Sequence, residues 1–114
     1  MSSIVKKVPE KELVNGKLTA WGERLYVKGK PQRLDKGEFV YFRARDRIAG
    51  REKVLDIVRK EKRDTNDVGD KGPGWVIELD KFEPTPPGAD TRRGLLKSTP
   101  RGAGYWYLEG GELW

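Results

Sequence analysis

Residues 34–62, LDKGEFVYFRARDRIAGREKVLDIVRKEK, decide the fold because they read as two neighbouring β-strands joined by a tight, basic turn. The first predicted strand covers residues 38–45 and the second covers residues 53–59. Residues 34–37 form the turn that begins the first strand, and residues 48–50 lie where the chain crosses to the second. We call residues 34–62 the ribbon and expect the rest of the chain to complete a small barrel around it.

Alternation along the first strand of the ribbon separates two faces, because successive side chains of a strand point to opposite sides. One face is purely apolar and consists of Val40, Phe42 and Ala44. The other face changes from aromatic to basic and consists of Phe39, Tyr41, Arg43 and Arg45. We expect the apolar face to lie in the core.

The second half of the ribbon, residues 53–62, fits two structures. Its β-branched residues favour a strand, but Val54, Ile57 and Val58 also have the spacing of a helix face. In the strand, alternation sets Val54, Asp56 and Val58 against Leu55, Ile57 and Arg59, and Leu55 and Ile57 look as suited to burial as the two valines.

Outside the ribbon, short apolar runs separated by glycine and proline predict further strands at residues 18–27, 75–79 and 105–108. Residues 1–7 read as a loose end or a short edge strand. Residues 8–16 and 91–98 read as short helices, with Pro9 suited to a first helical position. The large apolar residues Leu113 and Trp114 are expected to pack against the domain. The sequence thus predicts one α+β domain over residues 1–114: a small curled β-barrel of five to six strands with two short flanking helices.

Composition narrows the class of protein. Charged residues make up 37% of the chain, hydrophobic residues make up 35%, and cysteine is absent. Dense charges of both signs without thiols fit a cytoplasmic protein, and they resemble the ion-pair-rich surfaces of thermophile proteins. No apolar run is long enough to cross a bilayer and the start of the sequence lacks a signal-peptide core, so no membrane partner is expected.

Positive charge is concentrated in the first part of the chain. Sixteen Lys and Arg residues against eight Asp and Glu leave residues 1–60 at +8, within a chain of net charge +6. This asymmetry predicts a polyanionic partner, of which nucleic acid is the foremost candidate. The candidate nucleic-acid contacts are Tyr41, Arg43, Arg45, Arg47, Arg51, Arg59 and Lys60. The alternative is a solvated face whose arginines pair with neighbouring carboxylates such as Asp46 and Asp56.

Four aromatic residues are candidates for the walls of a base-binding cleft: Trp21, Tyr41, Trp75 and Trp106. Aromatic rings stack on unpaired bases, and Tyr41 stands two residues before Arg43, so stacking and phosphate contact could coincide there. The alternative is that the tryptophans are ordinary core residues.

The sequence contains few residues of the kinds that usually carry out catalysis or bind metal ions. The chain has no histidine and no cysteine, so the usual bases, nucleophiles and soft-metal ligands are missing. Asp64, Asp67 and Asp70 lack the tighter spacing of a calcium loop. We therefore predict no catalytic residue, no metal and no cofactor.

The ribbon resembles the PUA-like superfamily, in particular EVE and ASCH domains, which are related to YTH domains. The resemblance lies in the run LDKGEFVYFR at residues 34–43, the Ile-Ala-Gly at residues 48–50, and Val54. Residues 75–79 look like the tryptophan-led strand that follows in EVE domains, and residues 95–102 are similar to their closing segment. The resemblance implies a curled β-barrel that binds DNA or RNA, in which a cleft accepts a modified or flipped base.

The sequence therefore predicts a non-enzymatic nucleic-acid-binding module that reads a modified or flipped base beside a basic surface. One alternative is a protein-interaction or structural module with an exposed patch formed by Trp106, Leu113 and Trp114. An RNA-processing enzyme of the ASCH type ranks last, because no matched acid–base pair is visible.

Overall fold

A strand-rich, curled half-barrel sheet forms the fold. The computed structural model describes residues 2–10, 13–14, 17–18, 24–27, 29–60, 74–96 and 105–114. In these ranges the strands are β1 (Ile4–Lys7), β2 (Leu13–Val14), β3 (Lys17–Leu18), β4 (Arg24–Val27), β5 (Phe39–Ala44), β6 (Arg47–Lys60), β7 (Gly74–Leu79), β8 (Glu83–Pro84) and β9 (Tyr105–Tyr107). The main sheet runs β4-β7-β6-β5-β1-β9, with β8 beside β6, while β2 and β3 pair separately.

Strand β6 is the longest element, with 14 residues, and connects the two halves of the sheet. Its first half pairs with β5 and its second half with β7, with a register shift between Val54 and Asp56. Residues 53–60 are therefore a strand, as the β-branched residues indicated, and the helical alternative is wrong for them. The shift in register leaves Leu55 about half exposed and Ile57 only partly buried.

The turn of the ribbon lies earlier than the sequence predicted. Residues 48–50 belong to β6, and the chain reverses at the two-residue loop of Arg45 and Asp46. Arg45 has a φ of 56°, which is the backbone conformation that short hairpin loops require. The loop is therefore a hairpin tip, and the basic side chains on either side of it are brought together.

Strand β1 is not an edge strand, which corrects the prediction for residues 1–7. It lies between β5, to which it is parallel, and β9, to which it is antiparallel. Ile4 and Val5 are fully buried, one on each side of the sheet. The Ser3 hydroxyl accepts a hydrogen bond from the Phe39 N–H (3.0 Å), so the start of β1 is fixed to the start of β5.

Both faces of the sheet carry a core. The predicted core face is confirmed, since Val40, Phe42 and Ala44 are fully buried among the aliphatic residues of β1, β4, β6 and β7, which together form what we call the first core. The opposite face is covered as well, because residues from the end of the sequence pack on it. We call this the second core; its buried members are Val5, Tyr41, Ile48, Trp106, Leu108 and Leu113. The prediction that Leu113 and Trp114 pack against the domain is confirmed.

The two predicted flanking helices are not seen in the described residues. Leu13–Val14 and Lys17–Leu18 are short paired strands instead of helical turns. In the described part of the predicted helix over residues 91–98, the chain forms a 3₁₀ turn at Arg92–Leu95 and is extended at Leu96, and a side chain at Gly94 would collide with Leu113 and Ile48. Both segments are too short for local propensity to decide their conformation. No helix in these ranges is long and apolar enough to span a membrane.

Candidate nucleic-acid interface

The seven predicted contact residues lie in three separate places. Tyr41 belongs to the second core and Arg51 contacts its hydroxyl; Arg43, Arg45 and Arg47 lie around the hairpin tip, and Arg59 and Lys60 lie at the other end of β6. Since a strand advances roughly 3.3 Å per residue, the two ends of β6 are about 40 Å apart along the chain. The ribbon does not present one continuous basic patch.

Tyr41 is directed inward and fixes the final residues of the sequence. Its side chain is 0% exposed. Its hydroxyl accepts hydrogen bonds from the Leu113 N–H (3.0 Å) and from Nη1 of Arg51 (3.3 Å). Tyr41 therefore offers no ring face to a ligand in this structure.

Arg51 completes this attachment. Its side chain is 11% exposed and lies between the rings of Phe39 (3.8 Å to the centroid) and Trp114 (4.7 Å). Nη1 donates to the Trp114 carbonyl oxygen (2.5 Å), while Nε and Nη2 donate to the two carboxylate oxygens of Glu83 (both 3.2 Å). We call Phe39, Tyr41, Arg51 and Glu83 the Arg51 clamp.

The electrostatics of the clamp favour a permanent cation. Burial works to lower the pKa of Arg51, but the hydrogen bonds to Glu83 and Tyr41 outweigh it and raise that pKa. A guanidinium that is stacked on two rings and paired bidentately is well satisfied within the fold. In this arrangement Arg51 holds the chain's own residues and does not project toward a partner.

Arg43 is also used within the fold. Its guanidinium donates to the carbonyl oxygens of Arg45 (2.6 Å) and Leu95 (3.2 Å) and lies 5.8 Å from the centre of the Trp106 ring. It thus joins the hairpin tip to the 3₁₀ turn.

At the hairpin tip, Arg45 and Arg47 share one carboxylate. Glu10 contacts Nε of Arg45 at 2.9 Å and Nη2 of Arg47 at 3.4 Å. Both arginines are more than half exposed, and the exposed Lys7 ends the neighbouring strand. The tip is basic but partly neutralised.

The other end of β6 combines cations with an aromatic ring. Trp75 lies directly opposite Arg59 in the β6–β7 pair, so the two side chains share one face of the sheet. The Lys30 ammonium lies over the Trp75 ring, 5.1 Å from its centre. Trp75 is half-buried, with part of its ring against the first core, and Lys60 follows Arg59 at the end of the strand. We call Lys30, Arg59, Lys60 and Trp75 the Trp75 end.

Three of the four candidate base-cleft residues are described, and these three do not converge on one cleft. Tyr41 and Trp106 are both buried in the second core, whereas Trp75 lies at the margin of the first. Trp21 is outside the described residues. Lys30 was not among the predicted contacts; it follows the predicted strand over residues 18–27, and the two lysines at positions 28 and 30 were the available signal.

The alternative interaction patch is not exposed. Trp106 and Leu113 are buried, and Trp114 is held by Arg51. Large hydrophobic side chains that are exposed in the described ranges are Leu55 and Leu96. They stand on different elements, β6 and the end of the 3₁₀ turn.

The described residues bring no three acidic, histidine or cysteine side chains together in a group that could hold a metal ion. Asp64, Asp67 and Asp70 lie outside the described residues, so their lack of a metal role stays a prediction.

No family model, curated protein or solved structure matches the chain. The resemblance to PUA-like domains therefore stays a prediction.

Proposed function

We propose that the protein binds nucleic acid at the Trp75 end, with an unpaired base stacked on Trp75 and phosphates contacted by Lys30 and Arg59; Lys60, the next residue in the sequence, stays a predicted contact. The reading of a modified or flipped base, inferred from the resemblance, belongs to the same proposal. The observation that carries it is a half-buried tryptophan with an ammonium over its ring and a guanidinium directly across the strand pair.

Stacking at this position is supported by how Trp75 is held. Part of the ring packs against the first core, which fixes its orientation before a ligand arrives. Stacking of a base on an aromatic side chain contributes about 1–3 kcal/mol and tolerates any base. The Lys30 ammonium would leave the ring when the base stacks and would meet the adjoining phosphate.

The hairpin tip supports phosphate binding less well. Arg45 and Arg47 already share Glu10, so a phosphate there would compete with a carboxylate. Lys30, in contrast, forms no ion pair with any residue in the described ranges. The hairpin tip therefore serves as the comparison for the Trp75 end when nucleic-acid binding is measured.

The test is a pair of double variants with equal charge. Arg59→Gln with Lys60→Gln and Arg45→Gln with Arg47→Gln each remove two positive charges, so long-range electrostatics change equally. We expect the first pair to weaken binding of a fluorescent single-stranded oligonucleotide more than the second. Each lost phosphate contact should also reduce the slope of log K against log salt by about 0.7. Equal losses in the two double variants would contradict a specific site at the Trp75 end.

Stacking itself is tested with Trp75→Leu and Trp75→Phe. The leucine variant should lose about 1–3 kcal/mol of binding free energy, since it keeps apolar packing but offers no π-face. The phenylalanine variant should retain most of the affinity, and it should lose the oligonucleotide-induced quenching of tryptophan fluorescence. Titrations with DNA, RNA and base-modified oligonucleotides then establish which nucleic acid is preferred. Quenching that persists in Trp75→Phe would place the bound base elsewhere.

A further inference from the structure

We infer that the Arg51 clamp and its surroundings form a binding site for a peptide segment, occupied within one chain by Leu113 and Trp114, and that the same segment of a second copy can occupy it in an exchanged dimer. This inference is independent of nucleic-acid binding. It rests on the main-chain and side-chain contacts that hold the two residues and on how they are connected to the rest of the domain.

The site recognises both the backbone and the side chains of the segment. The Leu113 N–H donates to the Tyr41 hydroxyl (3.0 Å) and the Trp114 carbonyl accepts from Arg51 (2.5 Å). The Leu113 side chain is buried in the second core, and the Trp114 ring stands edge-on to Tyr41 at 5.2 Å and 81°. A bound peptide strand is held by the same kinds of contact, namely main-chain hydrogen bonds and side-chain pockets.

Gly94 makes room for the leucine. A Cβ built on Gly94 would lie 2.8 Å from the Cδ1 atom of Leu113. The absence of a side chain at this position therefore shapes the pocket to this residue.

A short, exposed pair of glycines connects the segment to β9. Gly110 and Gly111 have φ values of 87° and 88° and are exposed. Arg93 holds this turn closed by donating to the carbonyl oxygens of Glu109 (2.7 Å), Gly111 (3.0 Å) and Glu112 (2.8 Å). Opening the turn breaks these surface contacts, while the contacts of Leu113 and Trp114 with the pocket can re-form in a second copy, and a short hinge of this kind favours such exchange.

Within one chain the connection gives the segment an effective concentration of roughly millimolar or more, so the closed monomer dominates in dilute solution. Strain placed in the closed turn should shift the balance toward exchange. Gly111 is suited to this purpose, because an added Cβ there meets no atom within 4 Å and acts only through the left-handed backbone.

The first experiment compares Gly111→Ala with Gly88→Ala by light scattering, from micromolar to millimolar protein concentration. Gly88 also has a positive φ of 81° and open space around it, but it lies outside the hinge. In an extended hinge, the residue substituted in Gly111→Ala no longer has to adopt the left-handed conformation. The relief of this strain should favour the open hinge over the closed turn about tenfold for each chain. Because two chains exchange, the dimer constant should rise about a hundredfold, whereas Gly88→Ala should stay monomeric.

The second experiment separates the pocket from the segment in two full-length variants. Arg51→Ala weakens the pocket and keeps the segment, while Leu113→Ala with Trp114→Ala keeps the pocket and removes the segment's side chains. Each variant alone should be monomeric, and a mixture of the two should form a one-to-one heterodimer. Circular dichroism verifies that both are folded. The inference is overturned if Gly111→Ala dimerises no more than Gly88→Ala, or if the mixture contains only monomers.

Discussion

Replacing Tyr41 by phenylalanine removes a single oxygen atom from the centre of the second core. That oxygen accepts a hydrogen bond from the Leu113 N–H, 72 positions away in the sequence, and another from Arg51. The ring itself can remain in place, since phenylalanine has the same apolar shape. The change therefore isolates the contribution of the hydroxyl to the attachment of residues 113–114.

The larger part of the expected loss comes from Leu113. Its N–H is buried and keeps no acceptor in the variant, and an unsatisfied buried donor costs about 1–3 kcal/mol. Arg51 loses less, because it retains Glu83 and the Trp114 carbonyl. We expect the free energy of unfolding to fall by about 2 kcal/mol. For a domain of this size the melting temperature should fall by about 8 °C.

Urea denaturation followed by circular dichroism measures the loss, with an unchanged slope against denaturant as the sign that only stability has changed. Tyr26→Phe is the matched control: Tyr26 is half-buried on β4, and its hydroxyl forms no hydrogen bond to a described residue. The control should stay within about 0.5 kcal/mol of the parent chain. The reasoning is refuted if Tyr41→Phe is equally mild.

Two further predictions concern packing and surface charge. Gly94→Ala should destabilise the domain by about 1–3 kcal/mol, because the added Cβ collides with Leu113. The control is Gly29→Ala, whose Cβ meets no atom within 4 Å and which should change stability by less than about 0.5 kcal/mol. Equal effects of the two variants in thermal melts would contradict this packing. Hydrogen bonds from the Arg92 side chain and N–H lower the pKa of Asp90 from 3.8 to about 2. The stabilising effect of this pair is therefore complete above pH 3.8 and is lost as the pH falls through about 2. NMR of the Asp90 carboxyl should show this low titration midpoint, and Arg92→Gln should return the midpoint toward 3.8. A midpoint that does not move would exclude Arg92 as the cause.

The sheet was largely predictable from the sequence, because alternation is a local signal. Val40 and Phe42 are buried on the face that their spacing indicated. The fate of the opposite face was not predictable in the same way. Alternation indicates which residues share a face, but what covers that face depends on residues far away in the sequence. Tyr41 looked like an exposed stacking residue until Leu113 and Trp114 were seen to cover it.

The roles of the arginines were hidden for a different reason. A guanidinium offers the same planar set of donors to a phosphate as to a carboxylate or a carbonyl oxygen. The sequence therefore could not distinguish Arg51, which is enclosed within the clamp, from Arg59, which lies exposed beside Trp75. The predicted helices failed because residues 8–16 and 91–98 are short, and tertiary packing decides the conformation of such segments.

The central position of β1 has a consequence for how the chain folds. Its two partners lie far along the sequence, since Ile4 stands opposite Val40 on β5 and opposite Tyr107 on β9, so neither side of β1 can be paired by local hairpin formation. The ribosome synthesises β1 long before β9. Until both partner strands have been synthesised, Ile4 and Val5 are exposed and must be kept from aggregating. Pairings between such distant segments form slowly. We therefore expect the β5–β6 hairpin, whose strands are adjacent in sequence, to form before the first and last strands assemble onto it.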